Sequence, residues 1–269
     1  MANTIQLYNG KVYTSGSRVE IYKYQAYQVI GKEGKSEGRK GKTGKGAAKE
    51  NKEVNRKVTL NRARNNIIRL ANSNPDLTTF ITLTYKENMQ DLSKSKKHLN
   101  YFFKKLTKDY KNFKYLYVLE YQERGAIHYH MLCNLPIEFI TAKRGRKSQV
   151  QKEYEQWFSK AYWSNRGFVD VRNLSSEGND NAGKYISAYL VEDLMSLDLQ
   201  GNKCFGYSRN LNKPIVELID SNEDLGEILN NYKDYKITYT SNYGIHYVDK
   251  SGKNRDSNVT YVDMYKKES

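Results

Sequence analysis

The stretch Tyr115-Leu-Tyr-Val-Leu-Glu-Tyr-Gln-Glu-Arg-Gly-Ala-Ile-His-Tyr-His-Met-Leu-Cys133 decides the fold. Two runs of β-formers flank Glu123-Arg124-Gly125, which predicts a β-hairpin. A three-residue hairpin loop favours glycine at its third position, where φ is positive. That loop pairs Gln122 with Ala126 and sets Glu120 opposite His128. A two-residue loop would shift the register by one and turn Glu120 to the other face. The position of Gly125 favours the first arrangement. Alternate strand residues share a face, so His128 and His130 project together, and Glu120 joins them.

Working outward, the neighbouring segments alternate between strand and helix patterns. Thr79-Phe-Ile-Thr-Leu-Thr-Tyr85 reads as a strand. A helix is expected before it, over about 47–72, with Val54, Val58, Ala63, Ile67 and Leu70 recurring at helical spacing and Asn74-Pro75 ending it. A second follows, capped by Asp91 or Ser93, with Leu99, Phe102, Phe103, Leu106 and Tyr110 on its apolar side. A third runs over about 147–164 with Val150, Tyr154, Trp157, Phe158 and Ala161 inward. Gly167–Arg172 is a short strand, and 182–197 is a helix. The order strand, helix, hairpin, helix, strand, helix suits an α+β domain: an antiparallel sheet with helices on one face.

The two ends differ from this centre. Residues 4–30 read as short strands with turns at Asn9-Gly10 and Ser15-Gly16. Residues 31–53 have little to bury and read as a basic linker. Beyond about 200 the chain is tyrosine-rich and strand-like. The expected division is 1–45 for N-terminal strands and linker, 46–215 for the central domain, and 216–269 for a C-terminal extension.

Composition narrows the partner. The chain of 269 residues carries 45 Lys and Arg against 30 Asp and Glu, a formal charge of +15. Thirteen of those bases and only four acids fall between 31 and 69. Such clustering points to nucleic acid. There are 24 tyrosines against 8 Phe and 2 Trp, which supplies wet-edged rings able to stack on bases. Two cysteines, Cys133 and Cys204, are too few for a disulfide scaffold or a Cys-type zinc site. Cys133 falls on the strand face opposite His130. No apolar run has the length of a membrane span and the N-terminus lacks a signal-peptide core, so a cytoplasmic protein without membrane contact is expected. Gly34-Lys35-Ser36 and Gly41-Lys42-Thr43 mimic the end of a P-loop. The required glycine five residues earlier is replaced by Val29 and Ser36, which excludes an NTPase on this motif.

The chemistry rests on two pairs. Neutral imidazoles ligate divalent ions, and an added carboxylate shifts the preference toward Mg²⁺ or Mn²⁺. A His-x-His pair on a strand is also compatible with two partly buried polar residues. Tyr185 and Tyr189 stand at helical i,i+4 spacing behind Lys184, which fits a nucleophile pair and equally fits core packing. A phenol near pKa 10 is ionised in only about one molecule in a thousand at neutral pH, so a tyrosine nucleophile needs a cation or base beside it.

Three motifs together resemble the HUH endonuclease superfamily, specifically its rolling-circle replication initiators of phage and plasmid type. Phe80-Ile-Thr-Leu-Thr-Tyr85 is similar to the family's first motif. Glu120-Tyr121 with Ile127-His-Tyr-His-Met131 resembles its metal-binding motif. Tyr185-x-x-x-Tyr189 resembles its two-tyrosine nucleophile motif. Asn61-Arg-Ala-Arg-Asn-Asn-Ile-Ile-Arg69 and Gly206-Tyr-Ser-Arg-Asn-Leu-Asn-Lys-Pro214 add flanking similarity, and the resemblance spans roughly 55–215. It implies an RRM-like antiparallel sheet, Mg²⁺ or Mn²⁺ at His128, His130 and Glu120, and cleavage of single-stranded origin DNA by Tyr185 or Tyr189 with help from Lys184. The products would be a 5′-phosphotyrosine and a free 3′-OH, with a bacterial helicase and polymerase taken from the host. The basic segment, including Lys57, Arg62, Arg64 and Arg69, is expected to grip duplex DNA at the origin. One departure stands out: the lysine usual three residues after a catalytic tyrosine is replaced by Ala188 and Glu192. The alternative from another class is a non-catalytic nucleic-acid-binding module on an RRM-like sheet.

Overall fold

The computed structural model describes residues 6–30, 48–139, 146–174, 182–190, 203–220, 222–249 and 253–267. The chain forms two compact units, Gly46–Asn212 and Met1–Lys45 with Lys213–Ser269.

The central unit contains α1 (Ala48–Asn72), β3 (Thr79–Thr84), α2 (Leu92–Asp109), β4 (Tyr115–Tyr121), β5 (Ile127–Cys133), α3 (Gln149–Phe158), β6 (Val169–Asn173), α4 (Ala182–Ser187) and β7 (Phe205–Tyr207). A π-helical turn, Ser159–Trp163, extends α3. The strands form one sheet in the order β6-β3-β5-β4-β7, and every pairing is antiparallel. This is the α+β architecture expected, compatible with an RRM-like sheet. The hairpin has the three-residue loop: Gln122 N–H donates to Ala126 O at 2.9 Å, Gly125 has φ +78°, and Glu120 pairs with His128.

Period-two alternation sorts the strand residues into two cores. One face carries Ile81, Leu83, Leu119, Tyr129, Met131 and Val171, buried with Leu99, Phe102, Phe158 and Trp163 from α2, α3 and the π turn. The other carries Phe80, Leu116, Val118 and Leu132, buried with Leu60, Ile67, Ile186 and Leu190 from α1 and the α4 segment. Helices thus cover both faces of the sheet rather than one. The cause is β5, whose seven residues are all buried. Apolar residues on both sides of a strand need cover on both sides. Within that strand His128 and His130 are the polar exceptions on the α1/α4 face.

Three local expectations change. Asn9-Gly10 is no turn; it marks a register shift inside one continuous strand. On α3, Val150 and Trp157 are exposed, at 61% and 49%. Gln151 and Glu155 turn inward instead, because Glu155 accepts from Val171 N–H at 2.9 Å and pairs with Lys147. The helix expected over 182–197 is described only as α4, followed by turns at Ala188 and Tyr189. Residues 191–202 lie outside the described residues, as does most of the basic linker, 31–47.

The pairing of β3 with β6 borders the site face, and it depends on a close approach. Ser159 Oγ donates to Gly167 O at 2.8 Å, and Thr84 N–H donates to Phe168 O at 2.9 Å. A Cβ at Gly167 would lie 1.9 Å from Thr84 O and 2.6 Å from Lys86 N. These are backbone atoms and cannot swing away. Gly167→Ala is expected to destabilise the protein by roughly 2–4 kcal/mol, the range of severe packing errors. A urea titration that leaves the midpoint unchanged would remove this contact from the account.

The terminal unit is a second five-stranded antiparallel sheet in the order β8-β1-β2-β10-β9. Its strands are β1 (Gln6–Ser15), β2 (Arg18–Ile30), β8 (Ile215–Ile219), β9 (Tyr235–Val248) and β10 (Asn254–Lys266), with α5 (Leu225–Asn230) between β8 and β9. One face packs Val12, Val19, Ile21, Val262 and Met264 against Ile228 of α5. On the other, buried Arg18 donates to both Asp263 oxygens, at 2.7 and 3.1 Å. A bidentate pair of this kind fixes the β2–β10 register.

Candidate metal centre and tyrosine pair

The antiparallel registers converge on one patch of the α1/α4 face. Glu120 lies opposite His128. His130 lies opposite Thr82 on its other side, and Thr82 lies opposite Asp170. His128 and His130 are buried, and Glu120 is half-buried. Their ligand atoms all lie within 4.8 Å of one another.

The hydrogen bonding is unequal. His130 Nε2 lies 2.7 Å from Glu120 Oε2, with N–H donating to the carboxylate. The Thr82 hydroxyl is 3.1 Å from His130 Nδ1 and donates to it in that tautomer. His128 Nε2 is buried with no hydrogen-bond partner among the described residues. An unmade bond at a buried polar atom costs about 1–3 kcal/mol. That orphaned lone pair, beside an imidazole and a carboxylate, fits a cation. Two nitrogens and one carboxylate oxygen are a three-ligand set that leaves coordination positions open. The protonation states suit it too. Burial holds the His128 imidazole below its usual pKa, hence neutral at physiological pH. The bond from His130 holds the Glu120 carboxyl below the usual carboxylate range, hence charged.

The α4 segment brings both tyrosines onto this patch. The Tyr189 ring stacks on His130 with centroids 3.6 Å apart and planes 18° apart. Tyr185 lies edge-on to Tyr189 at 5.9 Å. Phe80 supports both rings, at 4.8 Å from Tyr185 and 5.8 Å from Tyr189. Burial and a hydrogen bond with Tyr185 push the Tyr189 phenol above its ordinary pKa, while Arg172 acts in the opposite direction. Lys184 is exposed on α4.

The basic residues of α1 divide. Lys57 and Arg62 are exposed. Arg64 instead donates from Nε and Nη2 to Leu190 O, at 3.1 and 2.6 Å, and Arg69 is buried. Arg64 thus ties α1 to the residue after Tyr189 and helps to hold that turn on the sheet.

Two residues at the site escaped the sequence reading. Thr82 was legible in principle, since the period-two pattern of β3 puts Phe80, Thr82 and Thr84 on the histidine face. Arg172 comes from β6, where it pairs with Phe80 and donates to Asp170 Oδ2 at 2.9 Å. Only the order of strands in the sheet brings it near Tyr189, and no local signal encodes that. Thr82 should act on metal affinity through His130. Second-shell partners of a ligating imidazole are typically worth 10–100-fold. Thr82→Val is expected to weaken Mn²⁺ binding by about tenfold, read by titration calorimetry, with little change in fold. Unchanged affinity would mean that the Thr82 contact does not orient the ring.

Residues 78–194 match a family model for replication-associated proteins, the ORF2 family. The matched stretch contains β3, the whole hairpin and both tyrosines of the α4 segment. It is consistent with a rolling-circle replication initiator and supports a part in DNA replication, with DNA as the partner. No curated protein and no solved structure matches the chain. No helix among the described residues is long and apolar enough to cross a membrane.

Proposed function

We propose that this replication-associated chain is a metal-dependent nickase of the HUH type, which cleaves single-stranded DNA through a tyrosine and rejoins it. The observation that carries the reading is the stacking of Tyr189 on His130, inside a Glu120/His128/His130 cluster with an unpartnered imidazole nitrogen. Core packing alone gives no reason to place two phenols against the most polar patch of a buried strand. Glu120, His128 and His130 would hold Mg²⁺ or Mn²⁺, which when bound acts as a Lewis acid on a phosphate oxygen.

The chain's own part in the reaction is as follows. The Tyr189 oxygen attacks phosphorus, the bond from phosphorus to the 3′-oxygen breaks, and the phenol proton is released. The 3′-oxygen takes up a proton and leaves as a free 3′-OH, while the 5′ side stays on the enzyme as a phosphotyrosine. Tyr185, beside Tyr189 on the same support, is placed to serve as the second nucleophile in strand transfer. Arg172 and Lys184 are the nearby cations that compensate for Ala188 and Glu192, where related helices carry lysine. Exposed Lys57 and Arg62 contact the DNA backbone, which adds affinity without sequence information.

The test is incubation of the full chain with a labelled single-stranded oligonucleotide from the element's own origin in Mn²⁺. A covalent adduct that survives a denaturing gel is expected. Tight binding with no adduct at any metal concentration would assign the chain to the non-catalytic class.

A further inference from the structure

We propose that the terminal sheet holds a second DNA site, which reads the edges of unstacked bases rather than the phosphates. The proposal takes from the preceding reading only that single-stranded DNA is the partner. Residues of the terminal unit alone build the site.

Its position follows from where α5 stops. That helix covers the sheet face over Ile21 and Val262. One step along the strands, the same face turns polar. Lys23, Thr260 and Asn242 form a cross-strand row. Beyond it Asn258 Nδ2 donates to Gln25 Oε1 at 3.2 Å. These residues line a cavity of about 780 Å³. A second hollow of about 350 Å³ continues it and shares Gln25 and Asn258. Both volumes lie in the range of sites that accommodate organic ligands. Gly244 keeps the second one open, because a Cβ there would meet nothing closer than Asn258 Oδ1 at 4.0 Å.

The chemistry of the lining selects the ligand. A side-chain amide presents a donor and an acceptor side by side, which is the pattern that matches a base edge. Tyr27, 40% exposed on the rim, offers a ring for stacking. Lys23 Nζ is buried and has no hydrogen-bond partner among the described residues. A desolvated donor of this kind gains most from an acceptor such as a base carbonyl. Charge argues against phosphate: among the described residues Lys23 is the sole cation lining the larger cavity, and Glu223 and Asp224 line it too. A neutral base with its own donors fits this balance, and a polyanionic backbone does not.

The experiment measures binding of labelled 20-nucleotide dA, dC and dT homopolymers to the full chain in EDTA, across a series of salt concentrations. The wild type is expected to prefer one homopolymer by at least about fivefold, the lower end of base discrimination by amide pairs. Asn242→Ala with Asn258→Ala should bring that ratio below about twofold, and Gly244→Leu, which fills the hollow, should do the same. The salt slope should stay constant in both, since no phosphate contact is lost. Thermal melts will confirm that the variants fold. Three results would overturn the proposal: no preference in the wild type, a preference that persists in both variants, or a reduced salt slope at constant preference. Adduct formation in Mn²⁺ at saturating oligonucleotide should survive in both variants. Its absence from the wild type would sink the nickase reading and leave the base-binding test intact.

Discussion

A chain carrying both Tyr185→Phe and Tyr189→Phe is expected to form no covalent adduct at all, while folding as the wild type does. The change removes two hydroxyls and keeps two rings. The contacts of Tyr185 with Phe80 and of Tyr189 with His130 are ring contacts, and phenylalanine reproduces them. The lost hydrogen bond between the phenols is worth about 1 kcal/mol. A pair placed for packing would therefore keep full function in the double variant, and a pair of nucleophiles would lose all of it. The singles should differ. Tyr189 stacks directly on a ligand imidazole, so Tyr189→Phe should remove the first cleavage. Tyr185→Phe should leave that cleavage and reduce the strand-transfer product. Sequencing the DNA-linked peptide from the wild type identifies the attacking residue. An adduct on neither tyrosine, or full activity in the double variant, would end this mechanism.

The parts of this arrangement that were legible in the sequence are those encoded within a few residues. Gly125 at the third loop position set the hairpin register, and with it the meeting of Glu120, His128 and His130. Asp91 was readable as a helix cap, and it accepts from Lys94 N–H at 2.9 Å. Residues fixed by distant partners were not readable. Arg64 looked like any exposed base on α1 until the turn after α4 supplied Leu190 O as its acceptor. Glu155 turned inward because β6 offered it a backbone N–H. The terminal sheet is the extreme case. Strand β2 pairs with β10 across more than two hundred residues, as Tyr22 with Tyr261, and β1 pairs with β8, as Gly10 with Ile219. Each strand was visible locally. Their common sheet was not, since period-two patterning states which residues share a face and says nothing of which strand lies alongside.

His128→Ala and His130→Ala are each expected to bring cleavage below detection, and the two should part company in stability. In the metal-free protein His130 has two partners, Thr82 and Glu120. His130→Ala strips both and leaves the half-buried Glu120 carboxylate unpaired, so it should destabilise by roughly 1–3 kcal/mol. The orphaned His128 Nε2 has nothing to lose. Its removal relieves an unsatisfied polar atom while opening a small cavity, and these terms oppose one another. A purely structural role therefore ranks His130 above His128 in both stability and activity. A metal site predicts unequal stability with equal loss of cleavage, because a single missing ligand disables the centre either way. A second readout needs no catalysis. Mn²⁺ at a hundred times its Kd should stabilise the wild type by about 2.7 kcal/mol, seen as a rise in melting temperature, and should do little for either variant. Single-strand affinity should stay within about twofold throughout, since phosphate contacts and stacking carry it. Normal nicking by the double His→Ala variant, or an equal Mn²⁺-dependent rise in its melting temperature, would rule out a metal at these residues.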